Sequence, residues 1–264
     1  MLIRWDVPAW HVLSERAPTL RTSARPTGRD TAVPQSRAAG QSNSLLSSLS
    51  RDQLALLTPY MTTEHLEQGN VLCEAGDETE AVYFPHSGML SLLAVLKDGR
   101  AIETAMVGRE GAVGAMAGLG LYISQVRVVV QLHAEVSKIP ASRFRKAATQ
   151  SDVLRSLCMS CNEVLLSQAR ITAACNAVHV IESRFCRWLL QTADRAGSDP
   201  ISLTQQFLAE MLGVRRTSVT EVARKVQATG AIEYSRGSIK ILDRPLLERQ
   251  SCECYATLLE QEAP

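Results

Sequence analysis

Residues Thr204 to Val226 read TQQFLAEMLGVRRTSVTEVARKV, and this stretch decides the fold. Phe207, Leu208, Met211 and Leu212 recur at the three-and-four spacing of an amphipathic helix. Gly213 supplies the positive φ of a sharp helix C-terminus. The period resumes at Val219, Val222, Ala223 and Val226, which predicts a second helix crossing the first, with the small Ala209 at the crossing. The outward positions of that second helix are Arg215, Arg216, Thr217, Ser218, Thr220, Glu221, Arg224 and Lys225. Guanidinium groups grip phosphates or the O6/N7 edge of guanine, and hydroxyls add short hydrogen bonds. That composition suits a helix lying in a major groove. A helical hairpin with a solvated basic face has the same pattern, so the window alone leaves both readings open.

Its surroundings favour the nucleic-acid reading. Ile232 to Tyr234 and Ile239 to Leu242 alternate as strands around the turn Ser235-Arg236-Gly237-Ser238, forming a wing with Arg236 at its tip. Ile181 to Arg195 forms a further amphipathic helix with Phe185, Trp188 and Leu189 inside, ended by Gly197 to Pro200. With Thr204, Ala209, Leu212-Gly213, Arg216, Ser218-Val219, Val226 and the wing in place, residues 180–245 resemble the DNA-binding domain of the Crp–Fnr family of transcription regulators. The resemblance implies that Arg216, Thr217, Ser218 and Glu221 read bases. Thr204, Arg215, Thr220, Arg224, Lys225 and Arg236 would hold phosphates. Thr217 and Glu221 depart from the family's usual Glu and Arg at these reading positions, so the half-site should differ from the family's best-known one.

Upstream, short apolar runs are separated by turns. Val71 to Cys73, Ala81 to Pro85, Met89 to Leu96, Ala101 to Val107 and Val126 to Leu132 read as strands, which predicts an antiparallel barrel or roll. Gly69, Glu74-x-Gly76-Asp77, Tyr83-Phe84 and Ser87-Gly88 resemble the same family's cyclic-nucleotide-binding-like roll, so the likeness covers about 44–245. The expected class is α+β: an N-terminal antiparallel β-roll of the double-stranded β-helix or jelly-roll type, a long dimerisation helix and a C-terminal winged helix-turn-helix. Nucleotide-binding members hold ribose with a Gly-Glu pair and phosphate with an Arg-Ser or Arg-Thr pair. Here Gly114 precedes Ala115, and Ser124-Gln125-Val126-Arg127 lacks the second pair. Arg109, Glu110, Gly114 and Arg127 are the candidate effector-pocket residues, with an outward position on the strand Val126 to Leu132 as the alternative for Arg127, and the effector is unknown.

Asp152 to Val178 carries Leu154, Leu157, Cys161, Val164, Gln168, Ile171, Cys175 and Val178 at alternating threes and fours. That is a heptad seam, which predicts a symmetric coiled-coil dimer over residues 151–179. A helix packed on its own roll would show the same stripe.

The remaining composition bounds the rest. The 264 residues suggest two domains, 44–150 and 180–245, around the long helix. The net charge of +1 is uninformative, but 180–245 holds ten Lys/Arg against seven Asp/Glu. Residues 1–43 carry six arginines amid Pro, Ser, Thr and Gly, and read as a disordered extension, with a basic arm as the alternative. Residues 246–264 read as a C-terminal tail. No apolar run is long enough to span a membrane, and an export signal is not evident, so seven reduced cysteines in a cytoplasm are expected. Cys158-x-x-Cys161 and Cys252-x-Cys254 lack obvious further ligands, and the five histidines show no ligand spacing, so no metal, cofactor or catalytic set is assigned. The expected protein is not an enzyme but a homodimeric, sequence-specific regulator bound to double-stranded DNA, with RNA polymerase a further partner if it activates. A ligand- or redox-sensing module acting through protein contacts is the alternative.

Overall fold

The computed structural model describes residues 42–196, 201–235 and 237–262, all within one compact unit. The 1–43 extension up to residue 41, the Gly197 to Pro200 turn and Arg236 lie outside the described residues. Asn43 is fully buried: its side chain accepts from Leu46 N and donates to Pro85 O and Gly111 O, so it belongs to the folded body.

Two short helices, α1 (Ser44–Ser48) and α2 (Arg51–Ala55), open the chain, the second with a Ser50/Gln53 capping box. Strands β1 (Thr62–Leu66), β2 (Val71–Cys73), β3 (Ala81–Pro85), β4 (Met89–Val95), β5 (Ala101–Val107), β6 (Arg127–Leu132) and β7 (Ala134–Pro140) follow. They form two antiparallel sheets, in the orders β1-β7-β3 and β2-β6-β4-β5, which make up the roll. Helix α3 (Ala141–Thr149) closes it, with Phe144 packed 5.9 Å from Phe84 between ring centroids.

The long helix α4 (Asp152–Val178) is capped by Ser151, whose hydroxyl accepts from Leu154 N. It ends where His179 turns extended. Then come α5 (Ile181–Ala196), β8 (Ile201–Ser202), α6 (Gln205–Leu212), α7 (Arg216–Ala228), β9 (Ile232–Ser235) and β10 (Ser238–Ile241). The wing is a three-stranded sheet, β8-β10-β9, with Ile239 opposite both Ile201 and Tyr234. The expected tail is instead structured as α8 (Arg244–Gln250) and α9 (Cys254–Glu262).

Strand β4 is buried on both faces for most of its length, and the reason lies in its neighbours. Leu90 and Leu92 point into the roll with Val107, Val128 and Val130. Met89 and Leu93 pack outward on Phe185, Trp188 and Leu189 of α5. The sheet therefore has a core on each side, one of them shared with the winged helix. Ser91 and Glu103 sit in this second layer and are satisfied there: Ser91 Oγ donates to Glu103 Oε2, and Trp188 Nε1 donates to Glu103 Oε1 at 2.8 Å.

Candidate nucleic-acid interface

Helices α6 and α7 are held at a fixed angle by local chemistry. The Thr204 hydroxyl accepts from Phe207 N at 3.1 Å and starts α6. Gly213, at φ 65°, stops it, and a Cβ there would press on Ile102 of β5 at 3.3 Å. The buried guanidinium of Arg184 donates to Leu212 O and ties the end of α6 to α5. Val219, Val222, Ala223 and Val226 then bury the inner face of α7.

The opposite face presents Arg215, Arg216, Thr217, Glu221 and Arg224 to solvent, with Ser218 and Thr220 half-buried beside them. Arg216 Nε donates to Gln205 Oε1 at 3.1 Å, which braces its guanidinium across the turn. Thr220 Oγ1 donates back to Arg216 O. Lys225 is less free than its sequence position suggests: it pairs with Glu182 at 2.9 Å and with Glu221 at 3.3 Å. Those two carboxylates hold the Lys225 ammonium pKa above its usual value. An incoming phosphate would have to break that pair. Thr204 is likewise occupied as a cap. The structure thus brings the basic residues of α7 onto one surface but couples Glu221 and Lys225 to each other.

The N-terminal end of α7 looks across a cleft of 850 Å³ at the β4–β5 hairpin, and Arg100, Arg127, Arg215 and Arg216 all line it. This placement corrects the effector-pocket expectation. Arg127 points to that outer cleft and pairs with Glu74 at 2.7 Å. Glu110 faces α5, pairing with Arg195 at 2.7 Å and accepting from Gly108 N. Arg109 is exposed. Of the four, only Gly114 lines the interior of the roll, where it is left-handed at φ 83° and a Cβ would strike Ala81 O. The strand alternation that turns Val126 and Val128 inward turns Arg127 outward.

The roll interior holds a cavity of 80 Å³, whereas small-molecule sites span roughly 300–1,000 Å³. It adjoins a groove of 420 Å³ against α4, lined by Leu121, Ile123, Met116, Leu165, Leu166 and a few uncharged polar groups. Among the described residues that line these two spaces, Glu80 of the smaller one is the one charged side chain. Calorimetric titration with cyclic AMP or cyclic GMP should therefore show no binding at micromolar nucleotide. Micromolar binding abolished by Arg127→Ala would contradict this and require Arg127 to swing inward.

The seam expectation on α4 is also corrected. Leu154, Leu157 and Cys161 are buried in the chain's own core with Leu46, Leu57 and Phe144. Gln168 is buried because its Oε1 accepts from Met106 N at 3.0 Å. Ile171 and Cys175 pack under the C-terminal segment with Cys252 and Cys254. The most apolar stripe of α4 is thus spent within the chain, and of the named positions Val178 alone is strongly exposed.

The cysteines divide. Cys158 and Cys161 sit in apolar surroundings, and burial pushes their thiols up to about 11 and about 12. Both pack as small apolar side chains beside Phe144 and Leu154. Cys252 and Cys254 are carried by the α8–α9 turn to Cys175 and His179, a grouping the sequence reading missed. The Cys175-x-x-x-His179 spacing on one helix was the available signal.

Two family models match the chain. Residues 63–151 match a cyclic nucleotide-binding domain and residues 183–250 a Crp-like helix-turn-helix domain, together more than half of the sequence. No curated protein matches. Among solved structures, a crp/fnr-family transcriptional regulator from Eubacterium rectale is 21% identical, with a TM-score of 0.62 over 78% of this chain and 97% of that one. FixK2 from Bradyrhizobium japonicum is 16% identical, with a TM-score of 0.61 over 73% and 98%. The c-di-GMP-responsive regulator CLP of Xanthomonas campestris is 17% identical, with a TM-score of 0.59 over 73% and 99%. At these identities the structures show a shared fold, while the two domain matches, in the order roll then winged helix, carry the assignment: the chain belongs to the Crp–Fnr family of DNA-binding transcription regulators.

Proposed function

We propose that the protein regulates transcription as a homodimer on a two-fold symmetric duplex site, with α7 of each chain in the major groove. The observation that carries this reading is the exposed set Arg215, Arg216, Thr217 and Arg224 on a helix whose inner face is locked by α5, α6 and the wing. Arg216, Thr217 and Ser218 would read bases, with Glu221 contributing once Lys225 turns to a phosphate. Arg215, Arg224 and Arg236 would hold the backbone.

The dimer would form on the outward side of α4. Met159, Asn162, Leu166, Ala169, Ala173 and Asn176 keep the three-and-four spacing on that side. Met159 and Leu166 are 55% and 39% exposed, apolar positions that a partner helix would cover. Leu121 and Ile123 stand beside them across the 420 Å³ groove and are exposed as well. The two alanines allow two helices to approach closely, and the two asparagines, as polar groups within a seam, would fix its register. An effector entering that groove would be an uncharged molecule, and it would lie against the dimer stripe.

RNA polymerase is a partner in this reading if the protein activates.

Binding-site selection from random duplexes tests the proposal. The expected result is a two-fold symmetric consensus with half-sites about one helical turn apart. Enrichment of an asymmetric site would remove the dimer, and no enrichment at low salt would remove sequence-specific reading.

A further inference from the structure

Where α4 ends, four metal-ligating side chains from distant parts of the chain converge. Cys175 lies in the last turn of α4, and His179 caps that turn four residues later. Cys252 lies between α8 and α9, and Cys254 opens α9. The Sγ atoms of Cys175 and Cys252 are 3.5 Å apart, and Cys254 Sγ is 3.6 Å from His179 Nδ1. All four donor atoms lie within 4.8 Å of one another. The three cysteines are buried, while the histidine keeps a partly open edge.

We propose that Cys175, His179, Cys252 and Cys254 form a tetrahedral Cys3His site for a single zinc ion. Zinc takes thiolate sulfur at about 2.3 Å and imidazole nitrogen at about 2.0–2.1 Å, so its tetrahedron has donor-to-donor edges of about 3.5–3.8 Å. The sulfur–nitrogen separation falls at that edge length, and the sulfur–sulfur separation lies within about 0.3 Å of it. Donors this close converge on one centre. An iron–sulfur cluster needs its cysteines spread around several irons, and the remaining cysteines, Cys73, Cys158, Cys161 and Cys186, take no part in this group. A disulfide would engage two sulfurs and leave the approach of Cys254 to His179 without a purpose.

The surroundings suit the ion. With Nδ1 turned to the sulfurs, the other ring nitrogen of His179 lies 3.1 Å from Glu253 Oε1. That is the carboxylate–histidine arrangement that fixes the tautomer and orientation of a metal-bound imidazole. Three thiolates and Zn²⁺ carry a net charge of −1. Arg187 is buried, lies close enough to act electrostatically on all three sulfurs, and has no hydrogen-bond partner for Nε among the described residues. It supplies the compensating positive charge. Binding releases the thiol protons to solvent and needs no oxidant.

The site joins two segments of the chain and is bordered by the apolar side chain of Ile171. One is the break between α4 and α5, where the sensor helix passes into the winged helix. The other is the C-terminal pair α8–α9. The ion would fasten α9 along α4, alongside the Ser167–Gln261 hydrogen bond at 2.6 Å.

Metal analysis of the full-length chain, purified under reducing conditions, tests the site. The expected content is about one zinc per chain, retained in Cys73→Ser and reduced at least tenfold in Cys252→Ser and in His179→Ala. Because a variant can lose zinc by unfolding, the wild-type chain stripped by chelator is also titrated with zinc alone, in competition with a chromophoric chelator. One tight equivalent and a rise in Tm are expected. Four outcomes would overturn the proposal: no tight equivalent in that titration, zinc that persists in the Cys252→Ser/Cys254→Ser double variant, iron with matching sulfide instead of zinc, or a stable Cys175–Cys252 disulfide in the reduced preparation.

Discussion

Leu166→Asp is expected to convert the protein from dimer to monomer. Leu166 lies at the centre of the outward stripe on α4 and is 39% exposed in the single chain, so the change leaves the chain's own core intact. In a symmetric dimer the residue is buried twice. Losing burial of the exposed fraction costs about 1 kcal/mol per leucine, and desolvating the two carboxylates costs several kcal/mol more. The sum, about 4–6 kcal/mol, corresponds to a rise in dimer Kd of about three to four powers of ten. Sedimentation velocity at micromolar protein would then show a monomer with unchanged far-UV circular dichroism. A variant that stays dimeric with wild-type Kd would place the interface elsewhere. Ile171→Asp, at a position of the originally expected seam, should instead loosen the packing of α9 and leave the dimer in place, because Ile171 packs beneath Cys252 and Cys254.

Stability should fall as pH rises from about 4.5 to about 7, and Glu103→Gln should remove that fall. Glu103 is buried between the roll and α5. Burial raises its pKa from 4.5 to about 7, against the opposing hydrogen bonds from Ser91 and Trp188 and the nearby charges of Arg187 and Arg195. The folded chain therefore keeps this proton over a range in which the unfolded chain has released it. The native state binds more protons there, so unfolding becomes easier as pH increases. Below the unfolded value the term is constant. Above about 7 both states are ionised and the full loss, on the order of 3 kcal/mol, has been incurred. Glutamine can accept from Trp188 and donate to Ser91 without ever ionising. Glu103→Gln should match wild type near pH 5 and exceed it at pH 8, with a Tm higher by about 5–10 °C. His179 also has a raised pKa, through its contact with Cys175. It is common to both proteins, so the difference between them isolates Glu103. Parallel pH profiles would contradict the assignment.

Much of this architecture was legible from residues 204–226 outward because local chemistry and packing agree there. Thr204 caps, Gly213 stops, and the valines of α7 turn inward as their spacing requires. The heptad stripe of α4 misled for a physical reason. A period of three and four shows that one face is covered, not by what. The roll and α9 cover the strongest stripe, while a weaker one, interrupted by Asn162 and Asn176, remains outside. The strand alternation left Arg127 open between the pocket and the outer face, and Val126 and Val128 inside decide for the outer face. Glu103 was invisible because a buried carboxylate in an alternating strand looks like any solvent-facing one. The Cys175, His179, Cys252 and Cys254 group depends on a chain reversal after α8, and short segments such as α9 carry little periodicity to announce it.

In the proposed complex α7 reads sequence through Arg216. The most direct measurement is the ratio of affinities for the selected duplex and a random duplex, at one fixed salt concentration, in wild type and Arg216→Ala. A loss of about 1–3 kcal/mol is expected on the selected duplex, with a much smaller change on random DNA, so that the ratio collapses by about tenfold to a hundredfold. Equal losses on both duplexes would make Arg216 a backbone contact and contradict the claim.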